Sequence, residues 1–176
     1  MTLTVGGKVV YPGRGPCLIG GVVQKVVCGR SASFYRLALL DDSKAELFVP
    51  VDNSHDLPVR ALLDRSEIPK LLGHLKPRAG VTKAPGTAKN WRQRELDNLK
   101  LFSSGSIFEL ANMVEVLTQL SGTKNLAAHE RETLHRARKL LICEISEVMS
   151  ESKTAATARI DRALAPGKNK LDQLPN

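Results

Sequence analysis

The residue best suited to chemistry on a partner is Trp91, the chain's one tryptophan. It sits in a stretch, residues 76–100, that carries seven lysines and arginines against two carboxylates. Cations attract phosphates, and a large planar ring can enter an opened base step as a wedge, so this combination suits a nucleic acid. The same ring could instead anchor a helix to a core, since tryptophan is highly buried on average.

Other candidate constellations are weaker. His129-Glu130-Arg131-Glu132-Thr133 begins like a helical His-Glu-x-x-His zinc motif, but Thr133 stands where the second ligand belongs. His135 lies six residues from His129, which turns the two rings about 120° apart around a helix. Cys17, Cys28 and Cys143 form no Cys-x-x-Cys pair and are odd in number, which argues against a disulfide framework or a cysteine-rich zinc site and leaves small, reduced core residues. No Gly-x-x-x-x-Gly-Lys-Ser/Thr loop occurs, and Gly13, Gly15, Gly20 and Gly21 do not lead from a strand into a helix as a dinucleotide fingerprint requires. Asp41-Asp42 and Asp52 to Asp56 read as solvated turns. No nucleophile has a visible base, so no catalytic residue, metal ligand or cofactor is expected.

Composition bounds the partners. The 176 residues are 42% hydrophobic and 25% charged, as in ordinary soluble domains, with a formal charge of +8. Residues 1–75 hold 9 basic and 7 acidic groups, whereas residues 76–176 hold 17 and 11. The C-terminal part is thus the candidate for a polyanion partner. No leader-like apolar run and no 18-residue apolar segment occurs, so a cytosolic, non-membrane protein is expected.

The elements that must position these residues change character near residue 60. Residues 8–11, 17–27, 33–40 and 45–51 have strand length and β-favouring composition, separated by turn signals, and predict a small antiparallel barrel. Gly20-Gly21 inside the second run predicts a bulge or sharp bend. A barrel edge could pair with another protein's sheet, or be blunted by Lys44 and Glu46.

From Ser66 onward the apolar period is helical. A short helix over 66–75 is capped by Ser66, with Pro69 in its first turn. A linker over 76–88 precedes a helix over 87–103; a further helix starts at the capping box Ser106-x-x-Glu109 and closes at Gly122. The longest helix runs over 128–149, a last one over 154–164, and a polar tail follows. The fold class is α+β: a barrel, then a compact all-α domain. The divisions are 1–65, 66–86 (short helix and linker), 87–164 and 165–176.

The residues also carry a resemblance. Gly6-Gly7-Lys8-Val9-Val10-Tyr11-Pro12-Gly13-Arg14-Gly15, Phe34-Tyr35-Arg36-Leu37 and Phe48-Val49-Pro50-Val51 resemble the polymerase-interacting domain of the CarD/CdnL family. Asn90-Trp91-Arg92-Gln93-Arg94, Ser104-Gly105, Leu126 through Glu130, Ala137-Arg138 and Glu144 resemble its helical domain. The resemblance spans about residues 5–164 in order.

It implies a bacterial, non-enzymatic regulator of transcription initiation, monomeric and nucleoid-associated through RNA polymerase. A Tudor/SH3-like barrel would dock on the polymerase β subunit, partly by strand addition, through Lys25 and Phe48. Trp91, Arg92, Arg94 and Arg131 would contact promoter DNA at the upstream edge of the bubble, with Trp91 wedged at the fork to stabilise the open complex. Gln93, Glu95 and Leu96 stand where relatives carry two cations and a tyrosine, Phe48 where some carry arginine, and Ala127 where a serine usually caps the long helix. Two rivals are a freestanding, sequence-nonspecific architectural DNA-binding protein and a metal-dependent hydrolase using His129 and Glu130.

Overall fold

The computed structural model describes residues 3–41, 43–52, 59–77, 91–123 and 125–165, and leaves the side chains of residues 91–95 outside that description. The expected linker, apart from residues 76 and 77, and the expected tail from residue 166 lie outside the described residues.

Four strands, β1 (Lys8–Tyr11), β2 (Gly15–Val27), β3 (Arg30–Leu39) and β4 (Glu46–Pro50), form one antiparallel sheet in chain order. The two-residue period of a strand turns Val9, Cys17, Ile19, Leu37 and Val49 to one face, where with Leu3 they make a buried core. Burial pushes the Cys17 thiol up to about 11, which keeps it protonated and inert. The expected irregularity at Gly20-Gly21 is present as a register shift between Ile19 and Val22.

Beyond the shift the β2–β3 hairpin leaves the core and continues as an arm. Val22, Val26 and Val27 are 50%, 74% and 49% exposed on it. Its tip is a two-residue turn with positive φ at both Cys28 (50°) and Gly29 (74°), the turn geometry that matches strand twist. Cys28 is therefore exposed, a correction to its expected place in a core.

The helical part begins with a 3-10 turn, Arg65–Glu67, leading into α1 (Ile68–His74). The cap is not Ser66, as the sequence suggested, but Asp64: its carboxylate accepts from Ser66 N–H at 2.8 Å, while Glu67 accepts from Asp64 N–H. An Asp two residues earlier offers a stronger acceptor to the orphan donors. Helices α2 (Trp91–Ser104), α3 (Ile107–Thr123), α4 (Ala128–Met149) and α5 (Lys153–Leu164) follow. Only half of the box at Ser106 forms: Ser106 Oγ accepts from Glu109 N–H, and Glu109 accepts from Ser104 Oγ instead of closing the loop. Helix α3 runs one residue past Gly122. Ile68 and Leu71 of α1, Val114 of α3, Leu141 and Ile145 of α4 and Ile160 of α5 share one core, so α1 is built into the helical layer.

The β domain sits on α4. Arg60 pairs its backbone with Val10 in an isolated antiparallel bridge, N–O distances 2.8 and 3.1 Å, at the edge of β1. Its guanidinium makes two bonds, 2.6 and 2.7 Å, to the Glu144 carboxylate, and its Nε donates to Gly105 O at 2.7 Å. Glu144, 3% exposed at its side chain, also accepts from Leu63 N–H at 3.0 Å. Lys8–Glu147 (2.7 Å) and Lys139–Asp41 (2.8 Å) flank this centre. Asp41 was expected as a solvated turn residue; instead it is 12% exposed and tied to α4, a tertiary contact that turn chemistry cannot announce.

Burial pushes the Asp41 carboxyl up, but bonds from Lys139 and Ser43 outweigh it and hold the group at about 2, below its ordinary 3.8. A depressed folded-state value means the pair's stabilisation is complete above the unfolded value and is lost as pH falls toward the folded one. The stability deficit of Asp41→Asn, read by urea unfolding, should shrink as pH falls from about 5 to about 2. A deficit independent of pH would show that the carboxylate's charge is not what Lys139 holds.

Candidate polymerase and nucleic-acid interface

Lys25 and Phe48 come from different strands and meet on the sheet. Lys25 on β2 lays its Nζ 3.1 Å from the centroid of the Phe48 ring on β4, a cation over an aromatic face. Phe48 remains 38% exposed. Among the described residues no strand pairs with the outer side of β4, so this cation–ring pair lies beside a strand whose second edge is open. Glu46 on that strand faces Arg36 at 3.6 Å. Such an edge offers main-chain hydrogen bonds to an incoming strand, with Phe48 and Lys25 as apolar and charged contacts.

Trp91 is the first described residue of α2. The side chains of Trp91, Arg92 and Arg94 lie outside the described residues, as do residues 87–90 of the expected helix start.

Arg131 stands in the first turn of α4, where its Nη1 donates to Leu126 O at 2.9 Å. It shares a cleft of about 410 Å³ with His135, Arg138, Ser121, Asn125 and Leu134. Residues 131, 135 and 138 are spaced by four and three, so α4 presents them on one face. Arg138 is braced by Asp161 of α5 at 2.5 Å. Two guanidiniums already held in place lose little freedom on meeting phosphate, so the cleft suits a sugar-phosphate backbone. Sequence weighed His135 only as a metal ligand and named Arg138 only within the resemblance, neither as a DNA contact, although their helical spacing from Arg131 was the available signal.

His129 and His135 open on different clefts. His129 lines a second cleft of about 420 Å³ between α2 and α4, with Asn98, Leu99, Phe102, Glu132 and Arg136. Glu130 is occupied as a cap, accepting from Ala127 N–H at 2.8 Å. Among the described residues no three His, Cys, Asp or Glu side chains gather as metal ligands would need to. Among the same residues no helix is long and apolar enough to cross a membrane.

Matches to two family domains make this a two-module regulator of transcription. Residues 3–63 match the CarD-like/TRCF RID domain and residues 81–161 the CarD C-terminal domain. The chain belongs to the CarD/CdnL family, and its N-terminal module to the class that interacts with RNA polymerase.

The start of α4, which carries Arg131, is under-capped. Ala127 has the extended backbone of an N-cap (φ −62°, ψ 158°) but no side-chain acceptor, so only the return bond from Glu130 is made. Ala127→Ser should supply the missing bond and stabilise the protein by about 1 kcal/mol, seen as a higher urea midpoint with an unchanged slope. An unchanged midpoint would mean that the first turn is already satisfied.

Proposed function

We propose that this protein binds the RNA polymerase β subunit through its β domain and stabilises the promoter open complex by wedging Trp91 at the upstream fork. It acts as a monomer, without catalysis, wherever polymerase engages the nucleoid. The observation that carries the reading is the pairing of two family modules in one chain, with Lys25 and Phe48 beside an open strand edge and Trp91 heading a helix of the other module.

Energetics favour a wedge that acts late. Unstacking an intact base step costs a few kcal/mol, whereas at a melted fork the neighbouring pairs are already open. The ring then has higher affinity for the open state, and only such a difference can shift an equilibrium. The cleft at Arg131, His135 and Arg138 offers few phosphate contacts, so free protein binds DNA weakly. Docking on polymerase raises the local concentration of the helical module at the fork.

Trp91→Ala should leave polymerase affinity unchanged and shorten the open-complex lifetime several-fold after competitor challenge; an unchanged lifetime contradicts the wedge. Lys25→Glu should weaken binding to the isolated β lobe by at least about tenfold, roughly 1.4 kcal/mol. Wild-type affinity for that variant would remove Lys25 from the interface. Tight DNA binding with no polymerase binding would favour the freestanding architectural reading.

A further inference from the structure

Helix α2 buries its C-terminal end in the helical core. Of its described side chains Phe102 alone is fully buried, while Leu96 and Leu99 are 50% and 52% exposed. The cleft of about 420 Å³ opens between its middle and α4, crossed by an Asn98–Thr133 bond at 3.3 Å. The rise of 1.5 Å per residue puts the Trp91 backbone about 17 Å from Phe102. A tilt at the Phe102 end of a rigid helix is multiplied over that length.

That end rests on the β domain. Arg136 of α4 lies over the Phe102 ring at 4.4 Å and donates to Gly13 O at 3.1 Å, in the β1–β2 turn. A Cβ at Gly13 would sit 3.5 Å from Phe102 O. Gly105, just beyond the helix, takes φ +68°, and a Cβ there would lie 3.0 Å from Pro12 Cγ. Its carbonyl receives Arg60 Nε at 2.7 Å, from the residue that also bridges β1 and grips Glu144.

We propose that the β1–β2 turn and Arg60 form a socket that aims α2, so that the β domain itself sets where the head of that helix meets DNA. Arg60 and Arg136 are positioning residues. The inference rests on the wedge reading and adds how the wedge is pointed. A tilt of about 5° at the socket moves the helix head by roughly 1.5 Å over that lever arm. This is close to half of the 3.4 Å spacing of bases along a strand. Loss of the socket therefore blurs which step receives the ring, without touching either partner surface.

Arg60→Lys keeps a cation beside Glu144 and the backbone bridge to Val10, but loses the two-pronged grip and the Nε bond to Gly105. Full-length variant should bind polymerase and forked DNA within twofold of wild type, yet show an open-complex lifetime at least threefold shorter. With 2-aminopurine placed in turn at successive upstream fork positions, the fluorescence change should shift or spread across positions. A merely less stable protein would lower its amplitude at an unchanged position.

Ile160→Val, in the core away from α2, serves as the comparison of reduced stability and should leave lifetime and position unchanged. If Arg60→Lys does not fold, Arg136→Gln decides, since it removes the Gly13 bond and the Phe102 stacking from a side chain at the surface. Wild-type lifetime and position in the folded socket variants, with Trp91→Ala still impaired, would overturn the socket alone. An equal loss in Ile160→Val would also overturn it, and an unimpaired Trp91→Ala would overturn the wedge reading and the socket with it.

Discussion

The structure turns on the contact between Arg60 and Glu144. Arg60 belongs to the β domain by its backbone, through Val10, and to the helical layer by its side chain, through Glu144 and the carbonyl of Gly105. Glu144 is buried and takes a further bond from Leu63 N–H. Against a well-packed apolar replacement such a pair gains little, because Glu144 has left water and Arg60, 29% exposed at its side chain, has left it in part. Removing Arg60, however, leaves the buried Glu144 carboxylate stranded, at a cost of up to about 3–5 kcal/mol. The planar, two-pronged geometry is satisfied in one arrangement. Its contribution is selection of one docking of the two layers over others.

That selection matters because interfaces between domains are usually polar and permissive of motion. Here β1, the β1–β2 turn, Asp41 and Arg60 meet a stripe of α4 that includes Arg136, Lys139, Glu144 and Glu147, about three turns of the longest helix. Gly13 and Gly105 both take φ +68°, and a Cβ would crowd Pro12 at Gly105 and press on the Arg136 guanidinium, 3.3 Å away, at Gly13. On the proposed reading, with one module on polymerase and the other on DNA, this seam would set the geometry through which docking of one module raises the local concentration of the other.

Much of the fold was legible in the sequence because local rules agree with tertiary demand. The β-rich runs became strands, the Gly20-Gly21 pair became the register shift, and the α4 boundaries followed from the spacing of Leu134, Leu141 and Ile145. Where two local signals competed, the stronger acceptor prevailed, as Asp64 did over Ser66. What stayed hidden was long-range. Arg60 and Glu144 are 84 residues apart, and Asp41 carries no local mark of being tied to α4. Of the site residues, Lys25 and Phe48 meet although separated along the chain, while His135 and Arg138 join Arg131 by a spacing that periodicity alone could have shown.

On the proposed mechanism, polymerase-docked protein holds the upstream fork open. Permanganate footprinting of a promoter open complex, followed over time after heparin challenge, measures this at single thymines. With the protein present, the upstream-edge thymines should stay reactive several-fold longer than without it, while the downstream edge keeps the same boundary. Identical decay at the upstream edge in both samples would contradict the account.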